Sequence, residues 1–439
     1  MKKLSSLVAL IISATLILTS CSDPTTEYLR QGDTYFDQGQ FVEAIAEYTK
    51  AIEHNPNIVA AYTHRGAVYN AQAEWDLAIA DLSKAIQLDP NRADDYQNRA
   101  FAYLAKEQYD PAIADLNKTV SLDPNSTLAF SNLSWLYVHK GEWDKAIEAG
   151  SKAIALNPNL YDAYYNRGTA YYAKGDMKNA LADMDAALAI NTNLAPAYNY
   201  RGKIYIYTDN ITGAVQDFTN ALAIDPDMAE AYKLRGFLEI ELKRSAEALA
   251  DLNKAIELDD ADAMAYFYRG HLYNSNEDFD KALDDLNRAL ALNPPAGSAT
   301  TTFDPFRYDA GGINLERAVA LRGKQQLTLA VEAGRKAVEL DPNYARAYVT
   351  LGEMLIVNGD LEEALTTLGK AISLDPNLAE AYYNRAVAYE VTAITSKNFN
   401  YYDLAAADLK MVLKVTTEPN IIAAANDGLR AMQSHGYIP

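Results

Sequence analysis

The side chains that most often carry out catalysis or bind metals are few in this chain, and their spacing does not bring them together. Its histidines are His54, His64, His139, His271 and His435, and they form no H-x-x-x-H or comparable metal-binding motif. Neither a G-x-S-x-G nucleophile motif nor a glycine-rich phosphate-binding loop occurs. The run Asp259-Asp260-Ala261-Asp262 lacks the pattern of a calcium-binding loop and is typical of helix capping. The sequence therefore predicts no enzyme activity, no cofactor and no metal site.

The one cysteine, Cys21, follows a segment with the features of a secretion signal. Two lysines precede a mostly apolar run of 12 residues, Leu7 to Leu18, which is too short to span a bilayer as a helix. The run ends in Leu18-Thr19-Ser20-Cys21, which resembles the lipobox of bacterial lipoproteins. The resemblance implies removal of residues 1–20, a diacylglycerol on the thiol of Cys21 and a further acyl chain, such as palmitate, on the new amine. A buried or reactive free cysteine is the alternative.

The predicted lipid determines the expected location. Two or three acyl chains anchor a protein stably, whereas one chain holds it only marginally. We therefore expect a protein of the cell envelope that is lipid-anchored on the extracytoplasmic side. Ser22 fits sorting to the outer membrane, by analogy with enteric bacteria; in a bacterium with one membrane, the anchor would lie in the outer face of the plasma membrane.

The charge of the chain limits its partners. The net charge is −20, and contact with nucleic-acid phosphates needs a basic surface, so the composition argues against a nucleic-acid partner. The acidic residues are spread along the chain, as is typical of a solvated surface.

A unit of 34 residues recurs along nearly the whole chain. Gly168 and Ala180, for example, return one copy later as Gly202 and Ala214. Fixed periods of this length indicate stacked supersecondary units rather than one globular core. With Gly168 at position 8, the copies begin at residues 25, 59, 93, 127, 161, 195, 229, 263, 311, 345 and 379.

Each copy has the pattern of two amphipathic helices. In the second copy, Tyr62, Gly66 and Tyr69 share one helical face, and Ala78 and Leu82 share another. Small residues at positions 8 and 20 let the helices approach closely, and large residues at positions 4, 11 and 24 fill the gaps. The pattern resembles the tetratricopeptide repeat, which has an aromatic residue at position 4, Gly or Ala at 8, Tyr at 11, Ala at 20 and 27, and Pro at 32. The resemblance implies an all-α fold, a right-handed α-solenoid of about eleven helix-turn-helix repeats with a C-terminal capping helix.

The predicted organisation has six parts. They are a signal peptide (1–20), a lipidated tether (21–24), eight tandem repeats (25–296), an insertion loop (297–310), three further repeats (311–419) and a capping helix (420–439). The loop is either a tolerated surface excursion or a flap that folds toward the groove of the array.

A second insertion lies near Thr392 to Asn400, inside the last repeat. The pattern is weakest in the ninth copy, where Asn314 and Leu321 stand in place of aromatic residues and Gly334 leaves position 24 without a side chain.

Positions 7 and 23 vary together among the copies. Where position 7 is arginine, position 23 is aspartate in every copy but one, which combines Arg317 with Ala333. Copies without the arginine also lack the aspartate, as with Leu133 and Ala149. We therefore predict a bidentate Arg–Asp pair that joins two helices; a row of arginines lining a ligand groove is the alternative. The pairs are Arg65–Asp81, Arg99–Asp115, Arg167–Asp183, Arg201–Asp217, Arg235–Asp251, Arg269–Asp285 and Arg385–Asp408.

The resemblance also implies where a partner binds. In tetratricopeptide arrays the first helices line a concave groove, which positions 2, 5, 9, 12 and 13 face. Here these positions hold the aromatic residues Phe36, Phe101, Trp135, Tyr165, Tyr172, Tyr207, Phe237, Phe267 and Tyr383. They also hold the acidic residues Asp33, Asp37, Asp94, Asp162, Glu230, Glu241, Glu353, Glu380 and Glu390. Basic residues are fewer, namely Lys203, Lys233, Arg322 and Arg346. A protein segment with apolar anchors and some positive charge suits this lining, unless the aromatics pack against neighbouring copies instead.

These features predict a membrane-anchored extracytoplasmic scaffold that binds a protein or peptide partner through its concave groove, in envelope or cell-wall assembly. Similar lipoproteins serve as adaptors. The alternative is a cell-wall glycan-binding protein whose groove aromatics stack on sugars. The Lys and Asn set of chaperone-binding relatives is not found at the groove positions, which argues against chaperone tails as partners.

Overall fold

All regular secondary structure in the described part of the chain is α-helical. The structure, a computed structural model, describes residues 23–292 and 308–438. The chain forms two compact units, Met1–Ile204 (unit 1) and Tyr205–Pro439 (unit 2). Cys21, the predicted signal peptide and most of the predicted insertion loop, residues 297–307, lie outside the described residues.

Unit 1 is built from consecutive antiparallel helix pairs. The first helix of each pair packs against the second, and the second packs against the first helix of the next pair. The helices are α1 (Pro24–Asp37), α2 (Phe41–His54), α3 (Val59–Ala71), α4 (Trp75–Leu88), α5 (Ala93–Ala105), α6 (Tyr109–Leu122), α7 (Thr127–His139), α8 (Trp143–Leu156), α9 (Tyr161–Ala173) and α10 (Met177–Ile190). The next helix, α11 (Ala195–Tyr207), contains the boundary between the units.

Unit 2 follows the same plan. Its helices are α12 (Ile211–Ile224), α13 (Ala229–Glu241), α14 (Ser245–Leu258), α15 (Ala263–Ser275), α16 (Phe279–Ala291), α17 (Ala310–Gly323), α18 (Leu327–Leu340), α19 (Ala345–Asn358), α20 (Leu361–Leu374), α21 (Ala379–Ser396), α22 (Tyr401–Val415) and α23 (Pro419–Ser434). The last helix packs on α22. The helix pairs confirm the predicted all-α solenoid fold, with α23 as its C-terminal capping helix.

Small residues at position 8 allow the close approach within a pair. A Cβ atom on Gly66 would lie 2.8 Å from Leu82 Cγ, and one on Gly236 would lie 2.9 Å from Leu252 Cγ. The buried leucines at position 24 therefore occupy the space that a side chain at position 8 would need.

The junctions between copies are held by recurring polar contacts. Asp89, which follows α4, accepts a hydrogen bond from the backbone N–H of Asn91 at 3.0 Å and turns the chain into the next copy. The hydroxyl of Tyr96, at position 4 of that copy, donates to the carbonyl of Pro90 at 3.2 Å. The same tyrosine-to-proline bond recurs from Tyr348 to Pro342 at 3.2 Å. These contacts explain why an aromatic residue at position 4 accompanies Pro at position 32.

Six of the seven predicted Arg–Asp pairs are confirmed. All six pairs whose members lie in one unit form, with Nε and a terminal nitrogen of the arginine donating to the two carboxylate oxygens at 2.7–2.8 Å. The other terminal nitrogen can reach the preceding copy, as from Arg99 to Ser83 Oγ at 2.9 Å. The Arg99 guanidinium also lies 5.9 and 5.8 Å from the rings of Tyr96 and Tyr103. We call this arrangement an arginine socket. Because the arginines bind carboxylates between helices, the alternative of a groove lined by them is wrong for these six.

The insertion in the last repeat is largely helical. It extends α21 to Ser396. As a result α21 has 18 residues, whereas α19, the first helix of the preceding copy, has 14. Lys397 then adopts a left-handed conformation (φ 56°), and α22 begins four residues later. The tip of this hairpin exposes Phe399, whose ring lies parallel to Tyr437 with centroids 5.7 Å apart.

Candidate functional site

The candidate binding surface in unit 1 is the face formed by α1, α3, α5, α7 and α9, which we call the first-helix face. Within this set α1 touches α3, α3 touches α5, and α7 touches α9. The predicted groove residues of unit 1 lie on these helices or on α11. Phe36, Phe101, Trp135, Tyr165 and Tyr172 are all partly buried, with part of each ring accessible to solvent.

Two of these aromatics are fixed by rings from the preceding copy. Phe101 makes an edge-to-face contact with Trp75, with ring centroids 5.8 Å apart and planes at 70°. Trp135 makes the equivalent contact with Tyr109, at 5.9 Å and 82°. His139 lies on the other side of Trp135, with centroids 3.7 Å apart. Rings held in this way lose little conformational freedom when a partner covers them.

A second aromatic cluster contains the one lysine predicted for the groove in unit 1. Tyr165 and Tyr172 both make edge contacts with Tyr200, with centroids 5.9 and 5.5 Å apart. The ammonium of Lys203 lies 5.5 Å from the ring centre of Tyr172 and 4.8 Å from that of Tyr200. This cation–π arrangement places the positive charge of Lys203 against tyrosine rings.

The acidic groove residues of unit 1 differ in their surroundings. Asp33 accepts hydrogen bonds from the Tyr48 hydroxyl at 2.7 Å and from His64 Nδ1 at 2.7 Å. Burial opposes ionisation of Asp33, but these bonds and the charge of His64 outweigh burial and hold the pKa of the carboxyl below its ordinary value. Burial raises the pKa of Asp162, against a smaller opposing effect from Tyr161. Asp37 and Asp94 form no ion pair within the described residues, so both remain available to a cationic partner.

Asp95 is a functional candidate that the sequence did not single out. It is fully buried at position 3, where eight other copies have alanine. One carboxylate oxygen accepts from the hydroxyl of Thr63 at 2.6 Å. The other lies 3.2 Å from Arg92 Nε, yet neither of those two atoms has a hydrogen-bond partner of good geometry among the described residues. Burial raises the pKa of Asp95, with Thr63 and Arg92 opposing it. Comparing position 3 across the copies would have found it.

We expect Asp95→Ala to stabilise unit 1 by about 1 kcal/mol at pH 7, because alanine removes a buried and incompletely paired carboxylate. The raised pKa of Asp95 means that the folded chain favours the protonated carboxyl. The stabilising contribution of that protonated form to the free energy of unfolding is fully present at acidic pH and is lost as pH rises through the folded pKa. The gain from Asp95→Ala should therefore shrink as pH falls toward about 4, the ordinary pKa of an aspartate. Urea unfolding followed by tryptophan fluorescence at both pH values measures the change. Asp94→Ala, one residue earlier, is the comparison and should show a smaller gain of the same sign, because the charge of Asp94 also raises the pKa of Asp95.

In unit 2 two of the four predicted groove aromatics are buried in the packing between helices. Phe237 and Phe267 are 2 % and 0 % exposed, so they offer no surface to a partner, contrary to the prediction for these two. Both rings contact Tyr268, with centroids 4.9 and 5.7 Å apart. Tyr207 and Tyr383 are partly buried.

Three of the charged groove residues of unit 2, Lys233, Arg322 and Glu353, form ion pairs. Lys233 Nζ lies 2.6 Å from Asp262 Oδ2, and Arg322 NH1 lies 3.3 Å from Glu353 Oε2. His271 Nδ1 lies 3.0 Å from Glu316 Oε1, and Asn274 donates to the same carboxylate at 2.8 Å. Burial alone would raise the pKa of Glu316, but the bonds from His271 and Asn274 leave it lowered. Glu241 and Arg346, also at groove positions of unit 2, are exposed and form no ion pair within the described residues, so unit 2 too keeps charged groups available to a partner.

Two further properties concern the predictions on metals and membranes. Within residues 23–292 and 308–438, no three side chains of His, Cys, Asp or Glu converge as a metal site would require. None of the helices in the same ranges combines the length and apolar character needed to cross a bilayer.

Several solved structures resemble the chain. MamA is 31 % identical over 38 % of this chain and 92 % of that one, with a TM-score of 0.37. YrrB, described as a TPR protein with an unusual peptide-binding site, is 25 % identical over 50 % of this chain and 100 % of that one, with a TM-score of 0.36. Yeast Tom70 is 18 % identical over 93 % and 96 % of the two chains, with a TM-score of 0.39. A search of curated proteins gives no match.

Family profiles match most of the repeat region. The profile described as TPR repeat matches residues 32–73, 136–175 and 352–391. Four profiles described as tetratricopeptide repeat match residues 96–126, 161–194, 201–263, 263–294 and 333–366. Together these matches cover more than half of the chain. With the helix pairs and their position-specific contacts, they show that the chain belongs to the tetratricopeptide repeat family.

Proposed function

We propose that this tetratricopeptide repeat protein is a scaffold of the cell envelope that binds an extended protein segment along the first-helix face of unit 1. The observation that carries the proposal is the pair of edge-to-face contacts that hold Phe101 and Trp135 half-exposed at equivalent positions of successive copies. Rigid, partly exposed aromatics supply large contact area and are frequent hot spots of protein interfaces.

The partner should carry apolar anchors together with lysine or arginine. Asp37 and Asp94 lie at groove positions of the same helices and form no ion pair within the described residues. A net charge of −20 also favours a basic partner, since complementary charge raises the rate of association.

Photo-crosslinking in cells that make the protein tests this proposal. A photoreactive phenylalanine analogue replaces Trp135 or Tyr172 on the first-helix face. The control position is Leu77 on the second helix α4, which is 47 % exposed. We expect discrete protein adducts from Trp135 and Tyr172 and none from Leu77. The same adducts from all three positions would contradict a binding face. Adducts with cell-wall glycan instead of protein would support the alternative of a glycan-binding protein.

We also propose that Cys21 anchors the chain to the membrane through its lipid. Cys21→Ser should abolish incorporation of labelled palmitate and move the protein from the detergent phase to the aqueous phase on detergent partitioning, unless the uncut leader retains it. The reason is that each buried methylene contributes about 0.8 kcal/mol to membrane binding, so losing two or three chains removes the anchor. Ser22→Ala, the adjacent substitution, should leave labelling unchanged. Equal labelling of the Cys21→Ser variant would rule out Cys21 as the lipid site.

A further inference from the structure

One arginine socket in unit 2 is incomplete. Arg317 on α17 occupies position 7 of the ninth copy, but position 23 on α18 is Ala333 instead of aspartate. In the complete sockets, Nε and one terminal nitrogen donate to the aspartate, as from Arg269 to Asp285 at 2.7 and 2.8 Å. The Nε of Arg317 is buried and has no hydrogen-bond partner in the described parts of the chain. Among the same residues, its side chain bonds only to Asn314, through NH1 at 2.9 Å. The edge that normally binds a carboxylate therefore lacks one.

The side chains around this edge are also reduced in size. In the Arg269 socket, the rings of Tyr266 and Tyr273 flank the guanidinium at 5.6 and 6.0 Å. The equivalent positions of the ninth copy hold Asn314 and Leu321, and Gly334 follows Ala333 at position 24. The socket has thus lost both flanking rings as well as the carboxylate.

Other copies do not combine an arginine with a missing aspartate. Leu133 accompanies Ala149, and Leu351 accompanies Thr367, so the charge is lost together with its partner. Burial without a counter-charge lowers the pKa of Arg317, whereas the hydrogen bond to Asp285 raises the pKa of Arg269. A half-buried guanidinium whose Nε has no acceptor destabilises the fold.

We propose that the Arg317 site binds the carboxylate group of a ligand, which takes the position of the missing aspartate. The two carboxylate oxygens accept from Nε and the adjacent terminal nitrogen, as they do in the six complete sockets. The carboxylate comes from an acidic side chain of a partner polypeptide or from a small carboxylic acid. The site belongs to unit 2 and does not depend on the function proposed for unit 1.

The Nε–Hε signals of the arginines in the intact, ¹⁵N-arginine-labelled protein report on this site by NMR. Sodium acetate is titrated against sodium chloride at equal ionic strength, which keeps the screening of the net charge constant. We expect a saturable shift of the Arg317 signal with acetate only, while the signals of the six paired arginines stay in place. Arg317→Lys identifies the signal by its disappearance.

Two capped tripeptides then separate the sources of the carboxylate. Acetyl-Gly-Asp-Gly-amide carries one side-chain carboxylate, and acetyl-Gly-Asn-Gly-amide is its neutral match. Saturation by the aspartyl peptide at lower concentration than by acetate supports a polypeptide ligand. Saturation by acetate at equal or lower concentration supports a small acid. The asparaginyl peptide should have no effect in either case.

Ala333→Asp is the matched variant, since it rebuilds the complete socket. We expect it to lower the acetate response of the Arg317 signal at least tenfold, because the site is then filled from within the chain. If this variant does not fold, Arg317→Lys serves instead, and the acetate-dependent rise in melting temperature of the wild-type chain should be absent from it. An Arg317 signal that responds no more to acetate than to chloride, or an undiminished acetate effect in the variants, would overturn the proposal.

Discussion

Replacing Asp115 by alanine lowers the free energy of unfolding of unit 1 by about 3 kcal/mol, because it leaves a buried charge without its partner. In the wild-type socket, the Arg99 and Asp115 side chains are only 18 % and 7 % exposed. Without Asp115, the Nε edge of Arg99 has lost both of its acceptors, and water reaches it poorly. The three tryptophans of the chain, at positions 75, 135 and 143, all lie in unit 1, so their fluorescence follows its unfolding in urea.

The double variant Arg99→Leu/Asp115→Ala should regain most of this loss. Its two residues are those that the fourth copy has naturally, with Leu133 and Ala149 both buried. Replacing a buried ion pair by apolar residues of suitable size is often neutral, whereas removing one member alone is costly. A double variant as unstable as Asp115→Ala would mean that the arginine is not the origin of the cost.

Gly168→Leu should destabilise unit 1 by about 3 kcal/mol through overpacking. Even a Cβ atom at this position would lie 3.0 Å from Asp183 Cβ and 3.0 Å from Met184 Cε. The remaining atoms of leucine would force α9 and α10 apart. Gly168→Ala is the control, because alanine occupies position 8 naturally at Ala100 and Ala386. It should cost less than Gly168→Leu, since Met184 Cε is the far end of a flexible side chain and only the 3.0 Å approach to Asp183 Cβ remains to be relieved.

These two variants are best compared by the full unfolding curve. Repeat arrays need not unfold in one step, so the fluorescence transition is recorded together with circular dichroism, which reports on all helices. If the fluorescence change accompanies only part of the loss of helix seen by circular dichroism, the destabilisation lies in unit 1. An unchanged curve for Gly168→Leu would contradict the close approach of α9 and α10.

The repeated sequence made the fold and the Arg–Asp pairs predictable. Eleven copies within one chain act as an internal comparison, so the joint loss of arginine and aspartate at Leu133 and Ala149 indicates that positions 7 and 23 are in contact. The pairs within each unit confirm it, because position 7 and position 23 lie on facing helices of one copy. Local helical periodicity and small residues at close contacts specify this geometry without long-range information.

The exposure of individual groove residues could not be predicted in the same way. Positions 5 and 9 face a groove in related arrays, but whether a ring there is exposed depends on the neighbours that pack over it. Phe267 at position 5 is fully buried, whereas Tyr165 at the same position of another copy is not. Phe267 contacts Tyr268 and Tyr308, and Tyr308 precedes the ninth copy outside the repeat pattern. The conformation of the insertion in the last repeat was not predicted either: its first part, to Ser396, continues α21, and the rest forms the turn before α22.

A ladder of exposed ion pairs gives unit 1 one more property. Lys106 pairs with Asp76, Lys140 with Asp110 at 2.5 Å, and Lys174 with Asp144, so each lysine at the end of a first helix holds the start of the preceding second helix. Single exposed pairs contribute little to stability and are weakened by salt. They do, however, lie at successive junctions between copies, and each resists the separation of a first helix from the preceding second helix. The elastic stiffness of unit 1 should therefore fall as ionic strength rises, so that under a pulling force the unit lengthens more readily in concentrated salt than in dilute solution.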